Sequence, residues 1–196
     1  MNTRISKDPK KIKVKMIRVK ADGKVKWEIL FPLDSVFSGV GISSKREKIL
    51  QIINDATNSI GRLVAKDHPS RSKVTELHQA GKIISDARQT IVSTYGVEIS
   101  NFLDVFAKLI RVDRRVINYI LQLYSSLRIE DIDDKIPWTV YRYCISTIDK
   151  EKSAEVLKLY KEGILKSSNE VRSYVTDLNK NIKKMQNENG QANQGR

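Results

Sequence analysis

The sequence predicts a mainly α protein, a multi-helical domain built around a helix-turn-helix and preceded by a basic β-hairpin. Three observations carry that prediction. From Asn101 to Tyr124, apolar residues recur at helical spacing on either side of a short break. Between Lys10 and Phe31, charged and apolar residues alternate with period two. The charge is uneven: 36 Lys and Arg face 23 Asp and Glu, a formal net +13. Ten basic against three acidic residues, about +7, fall between Met1 and Glu28.

Residues 1–34 form the basic arm. Ile12, Val14 and Met16, then Val25, Trp27 and Ile29, alternate with Lys and Arg on either side of Ala21-Asp22-Gly23, and period two closed by Asp-Gly is a hairpin signal. An isolated hairpin is marginal in water. Trp27 and Phe31 are therefore read as its anchors on the helical body, with base stacking as the other use for such rings. Lys13, Lys15, Arg18 and Lys20 are the arm's candidate contacts to a polyanion.

Residues 44–185 form the helical domain. Gly39-Val40-Gly41 ends the arm, and Ser44-Lys45-Arg46-Glu47 reads as a capping box opening a helix to about Lys66, with Ile49, Ile52, Ile53, Ile60 and Leu63 on one face. His68-Pro69-Ser70 breaks it. A second helix, from about Ser72 to Tyr95, carries Val74, Leu77, Ile84, Ala87, Ile91 and Val92 and is closed by Gly96. The two are expected as an antiparallel pair lying under the helix-turn-helix.

In the helix-turn-helix itself, Phe106, Ile110, Val112, Ile117 and Ile120 face inward, Ala107 is the small residue at the crossing, and Asp113 caps the second helix. Arg111 stands where such turns commonly place glycine, so it must take a positive φ at a cost of ~1 kcal/mol, or the turn must differ. RIEDIDDKIPW is an acidic connection. Pro137 opens a helix to about Thr147, and Asp149 opens another that ends at Glu162-Gly163. Ser167-Ser168-Asn169-Glu170 is a capping box for a basic helix to about Met185, whose Val171, Tyr174, Val175, Leu178 and Ile182 suit either core or a dimer seam. Residues 186–196 have almost no apolar content and read as a disordered tail.

The second helix of the helix-turn-helix carries Arg114, Arg115, Asn118, Tyr119 and Gln122 on its outer side. Arg pairs bidentately with guanine and Asn or Gln with adenine in a major groove, and a helix N-terminus favours phosphate. Arg114, Arg115 and Asn118 are accordingly candidate base readers, and Lys108 and Arg111 candidate phosphate contacts. A plain helical core pair shows the same periodicity and is the competing reading. One such unit reads only a few base pairs, so a homodimer is expected with it.

Other chemistries find little support. Cys144 is the only cysteine, which excludes an internal disulfide and a multi-thiolate metal site and suits a buried thiol in a reducing compartment. His68 and His78 have no partner ligands at metal spacing. The cluster Glu130, Asp131, Asp133, Asp134 is read as a solvated connection rather than a Mg²⁺ site. No Walker-type loop, Gly-x-Ser-x-Gly or Cys-His pairing occurs. No apolar run approaches the roughly 20 residues that span a bilayer, and the first residues lack the apolar stretch of a secretory signal. The expectation is a non-enzyme without cofactor or metal, cytoplasmic, nucleoid- or plasmid-associated, and free of membrane.

The helices after the helix-turn-helix carry a resemblance. VDRRVINYILQLYSS, then KIPWTVYRYCISTIDKEKSAEVLKLYKEG, then ILKSSNEVRSYV is similar to the DNA-binding domain of the ParB family, which includes KorB-like regulators. That family shows a recognition helix "srstVsnlLrLl", a helix opening "lSwghaRaL", a "dpe" turn into a helix ending "eeG", and a closing "lSvrElE". Asp113 to Leu123 takes the recognition position, and Ile136-Pro137-Trp138 opens the next helix. Asp149-Lys150-Glu151 takes the turn, Lys161-Glu162-Gly163 the helix end, and Ser168-Asn169-Glu170-Val171-Arg172 the closing signature. The likeness covers about residues 98–178, less than half the chain, and rests on the order and spacing of its parts.

The resemblance implies sequence-specific binding of double-stranded DNA, in plasmid or chromosome partition or in transcriptional control, with a partition ATPase or another protein as partner. The CTP-binding domain that precedes this unit in ParB partition proteins has no counterpart here, so clamp formation and nucleotide hydrolysis are not implied. Two further readings stay open. One is an architectural or RNA-binding protein that uses the cationic hairpin; the other is a plasmid or viral accessory adaptor that binds a protein through its long helices.

Overall fold

The computed structural model describes residues 8–21, 24–32, 42–64 and 72–192. The elements run β1 Lys10–Ile12, β2 Lys15–Ala21, β3 Lys24–Leu30, α1 Ile42–Leu63, α2 Val74–Tyr95, β4 Val97–Ile99, α3 Phe102–Ile110 and α4 Arg114–Ser126. After a 3-10 turn at Ile129–Asp131 follow α5 Trp138–Cys144, α6 Glu151–Lys161 and α7 Ser168–Ala192. The fold is mainly α with a small hairpin near its N-terminus, as the sequence predicts.

α2 lies at the centre, packed on α1 and α4, while α3 packs on α1 and α4. The core runs through Ile49, Ile53 and Ile60 of α1, Leu77, Ile84 and Ile91 of α2, Phe106 of α3, and Ile117, Ile120 and Leu123 of α4, none more than 1% exposed. The tightest approach is between α2 and α4. A Cβ added at Gly81 would lie 2.5 Å from the Ile120 carbonyl oxygen and 2.7 Å from Tyr124 Cβ. Ala107 is buried, but the crossing that demands a missing side chain is at Gly81, on the helix before the helix-turn-helix. A glycine inside a helix costs about 1 kcal/mol relative to alanine; here close helix contact offsets it.

The arm divides differently from the sequence expectation. β2 and β3 form the antiparallel hairpin, with Arg18 opposite Trp27 and Met16 opposite Ile29. The Asp22-Gly23 turn lies outside the described residues. Ile12 and Val14, expected to alternate within that hairpin, belong instead to the helical core at 5% and 2% exposure. β1 pairs in parallel with β4, Lys10 to Val97 and Ile12 to Ile99. The Asn101 side chain then continues the pairing past the strand: its Oδ1 accepts the Val14 N–H at 3.1 Å and its Nδ2 donates to the Val14 carbonyl at 2.9 Å. Burial of two β-branched side chains and satisfaction of their backbone outweigh the local hairpin pattern.

Several boundaries also shift. α1 begins at Ile42, so Ser44 lies within the helix and not at its cap. Asp149 accepts the Glu151 N–H at 3.0 Å ahead of α6. Gly96 and Gly163 both take positive φ, 62° and 73°, where the sequence predicts helix ends. The second predicted capping box forms in one half: the Glu170 N–H donates to Ser167 Oγ at 3.2 Å, while Glu170 Oε2 accepts the N–H of Lys166 at 2.9 Å and not that of Ser167. α7 runs on to Ala192, past the Met185 at which its apolar spacing stops. Gly39-Val40-Gly41, His68-Pro69-Ser70 and the last four positions, 193–196, lie outside the described residues.

Candidate nucleic-acid interface

The turn between α3 and α4 takes the form its residues require. Arg111 adopts the left-handed conformation, φ 60° and ψ 45°, and its N–H donates to the Ala107 carbonyl. The Val112 N–H donates to the same oxygen at 3.0 Å. Asp113 caps α4, its Oδ1 accepting the Arg115 N–H at 2.7 Å. Phe106, Ile110, Ile117 and Ile120 are buried and Val112 is half-buried, so the inward face is the expected one.

That leaves the outer face of α4 for solvent. Arg114, Arg115 and Gln122 line it together with Asn118 and Tyr119; the two arginines and Gln122 are exposed, and Asn118 and Tyr119 are half-buried. The helix has 13 residues, about 20 Å at 1.5 Å per residue, and its roughly 10–12 Å breadth suits a major groove about 12 Å wide. Arg114 is not independent: its guanidinium reaches Asp104 of α3 at 3.3 Å, with the arginine side chain 60% exposed. Arg115 has its backbone fixed by the cap and its side chain in solvent.

Lys108 lies one turn beyond Asp104 on α3, and its ammonium sits 5.0 Å from the centre of the Trp27 ring. Trp27 stands directly opposite Arg18 in the hairpin, so Arg18 shares its face of the sheet. Arg18 and Lys20 thus lie on the face of the hairpin that carries Trp27, the ring over which Lys108 of α3 sits. Met16, Ile29 and Phe31 pack against the core, so Phe31 anchors the hairpin as expected, whereas Trp27 serves as a shelf for Lys108. Lys15 pairs with Leu30 on the opposite face, and Lys13 and Lys15 line a separate concavity with Leu30, Phe31 and Pro32. The four basic residues read from the arm thus occupy two surfaces.

Two flanking residues escape a reading of the helix-turn-helix alone. Arg142 of α5 lies over the Tyr119 ring at 5.5 Å and near Tyr143 at 5.8 Å. Lys150, ahead of α6, donates to Ser125 Oγ at 3.4 Å, at the C-terminal end of α4. The sequence signal for Arg142 is a lone cation inside a short, otherwise uncharged helix.

The acidic connection is held away from the arginine end of α4. Asp134 accepts the Thr75 N–H at 2.9 Å and its hydroxyl at 2.8 Å, capping α2. Burial alone raises the Asp134 carboxyl, but the hydrogen bonds from Thr75 and Val74 and the nearby Lys73 outweigh it and hold the group below its ordinary value. The Tyr141 hydroxyl accepts the Asp133 N–H at 2.7 Å and donates to the Asp133 carbonyl at 3.1 Å, and burial pushes it up to about 12. Asp131 lends its carbonyl to Lys161 Nζ at 2.5 Å. Elsewhere, Cys144 is fully buried and its thiol, pushed up to about 12 by burial, stays protonated at neutral pH. His78 is buried too, its Nε2 donating to the Leu127 carbonyl at 3.0 Å. Among the described residues, no group of His, Cys, Asp and Glu is arranged to hold a metal ion, and no helix is long and apolar enough to cross a membrane.

The site is built from two short helices, α3 and α4, joined by a tight turn with Arg111 in the left-handed conformation. Compared with protein-family models, with curated proteins and with solved structures, the chain matches none.

Proposed function

We propose that the protein binds double-stranded DNA in a sequence-specific manner, with α4 lying in the major groove. The observation that carries this is the uncovered outer face of α4. Arg115, Asn118 and Gln122 remain open to a ligand at a helix end flanked by Lys108, Arg111 and Arg114, while the acidic connection is tied down at the start of α2 and against α5. A solvated, cation-rimmed helix of that length meets the steric and electrostatic needs of groove insertion. In this reading Arg115 and Asn118 touch base edges. Arg114 exchanges Asp104 for the duplex on binding, and Lys108, Arg111, Arg18, Lys20, Arg142 and Lys150 contact phosphate.

The order of elements after α4 resembles that of ParB-like proteins, which supports a role in DNA partition or transcriptional regulation and a partition ATPase or another protein as partner. A nucleoid- or plasmid-associated location in the cytoplasm follows from the same reading.

Selection of bound fragments from a random duplex pool tests it. A defined consensus is expected, and Arg115→Ala should relax one base position at a cost of about 1–3 kcal/mol. The logarithm of affinity should fall with the logarithm of salt concentration by about 0.9 per phosphate neutralised. Recovery of no consensus, or a base preference unchanged in Arg115→Ala, overturns the reading.

A further inference from the structure

We infer that the outward face of the hairpin docks an acidic peptide segment of another protein, laid in extended form along β2 and β3. Strand alternation gives the hairpin two faces. Met16, Trp27 and Ile29 turn toward the body, where Met16 and Ile29 pack against the core and Trp27 meets Lys108. On the other face Lys15 stands opposite Leu30, Ile17 opposite Glu28 and Val19 opposite Lys26. Ile17 is 37% and Leu30 44% exposed, and Lys15 and Lys26 are exposed as well.

At the base of this face lies a concavity of about 400 Å³, its apolar walls Leu30, Phe31 and Pro32 and its cations Lys13 and Lys15. The Arg46 guanidinium of α1 donates to the Pro32 carbonyl at 3.1 Å, which ties down this end of the hairpin and brings a third positive charge beside it. Along the face the order is therefore cation, apolar, apolar, cation: Lys13 and Lys15 beside Leu30, then Ile17, then Val19 with Lys26. Lys26 is four residues from Leu30, about 13 Å at 3.3 Å per residue.

Three properties select the occupant. The cations call for an anion, and the apolar surface between them calls for one that carries apolar side chains, which a phosphodiester backbone does not. A second copy of a chain of net +13 would bring further cations to the lysines. Among the described residues the hairpin is a two-stranded sheet, so each strand keeps one row of backbone N–H and C=O groups without a strand partner. An extended peptide pairs with such an edge, and a lipid has no groups to do so. Carboxylates in register with Lys15 and Lys26, with apolar side chains between them over Leu30 and Ile17, meet all three requirements. Arg18 and Lys20 lie on the opposite face, so the docking surface does not depend on what α4 binds.

Fluorescence anisotropy on the full chain tests it with a labelled heptapeptide, Glu-Thr-Leu-Thr-Leu-Thr-Glu. Two controls carry Ser in place of both Leu, or Gln in place of both Glu. The parent peptide should bind about tenfold tighter than either control. Lys13→Gln/Lys15→Gln and Leu30→Gln should each weaken it by a similar factor while the melting temperature holds, and Arg18→Gln/Lys20→Gln should leave it unchanged. Equal binding of the serine control would reduce the effect to charge attraction and overturn the inference. So would equal weakening by Arg18→Gln/Lys20→Gln, or no saturable binding of the parent peptide. Phosphatidylserine vesicles that retain the wild type but not Lys13→Gln/Lys15→Gln, with the peptide unbound, would give the face to lipid and overturn it too.

Discussion

The hairpin and the helix-turn-helix divide the work of this surface unequally. The helix-turn-helix is fixed by side chains that are almost wholly buried, and its outward residues are positioned by a cap, a left-handed turn and a glycine contact with α2. The hairpin carries dense positive charge but is held by half-buried Met16, Ile29 and Phe31 and by the Lys108–Trp27 contact. One region supplies shape and the other supplies field. On the proposed DNA-binding reading, base discrimination needs the first, since a displacement of an ångström breaks a bidentate contact, whereas phosphate attraction tolerates motion.

The sharpest way to break this division is at its boundary. Ile12→Ala, in the segment ahead of the hairpin, should cost about 3 kcal/mol in chemical denaturation because the site is core and leaves a cavity. A cost below about 1 kcal/mol would place residues 8–14 with the arm. Truncation of residues 1–34 would therefore damage the helical domain as well as remove charge, and substitution is the cleaner probe.

Next in size, Gly81→Ala should destabilise by about 2 kcal/mol as the new methyl meets the α4 backbone. Gly61→Ala in α1, where an added Cβ has no neighbour within 4 Å, should stabilise by up to about 1 kcal/mol. Thermal unfolding of the pair measures both signs; two stabilising results would remove Gly81 from its structural role.

A smaller effect is expected when Lys15, Arg18 and Lys20 are changed to Gln. Stability should be unchanged and affinity for every duplex should fall alike, with the salt slope reduced by about 1 for each phosphate that is no longer neutralised. Because Arg18 and Lys20 share a face and Lys15 lies on the other, single substitutions should rank Lys15→Gln last.

The smallest expected effect concerns Asp134. Its carboxyl is held below the ordinary value in the folded chain, so its contribution to stability is full above that ordinary value and is lost as pH falls through the lower, folded-state value. Asp134→Asn should lower the melting temperature at pH 7 and converge with the wild type in acid. A pH-independent difference would assign the effect to altered hydrogen-bond geometry instead of charge.

Legibility in the sequence follows the range of the interactions. The helix-turn-helix is readable because its buried positions, its cap at Asp113 and its turn all lie within two dozen residues. The strained Arg111 is visible as the wrong residue type for a glycine position. β1 and β4 are not readable, since strands of three residues carry almost no alternation and Val14 meets Asn101 across 87 positions. Gly81 looks like a weak point in α2 because the α4 backbone that needs it lies elsewhere in the chain. Among the site residues, Arg114 and Arg115 follow from helical phase alone. Arg142 requires knowing that α5 returns to Tyr119, and the split between Lys15 and Arg18 requires knowing which face of the hairpin meets α3.

The pairing of β1 with β4 also sets an order of events during synthesis. The hairpin has both its strands within the first few dozen residues and can close as soon as they leave the ribosome. Ile12 and Val14 emerge still earlier, yet their partners at Val97–Ile99 and Asn101 are made far later. At about 5–20 residues per second, the chain carries an unpaired apolar strand for several seconds or more before the helical domain can take it in.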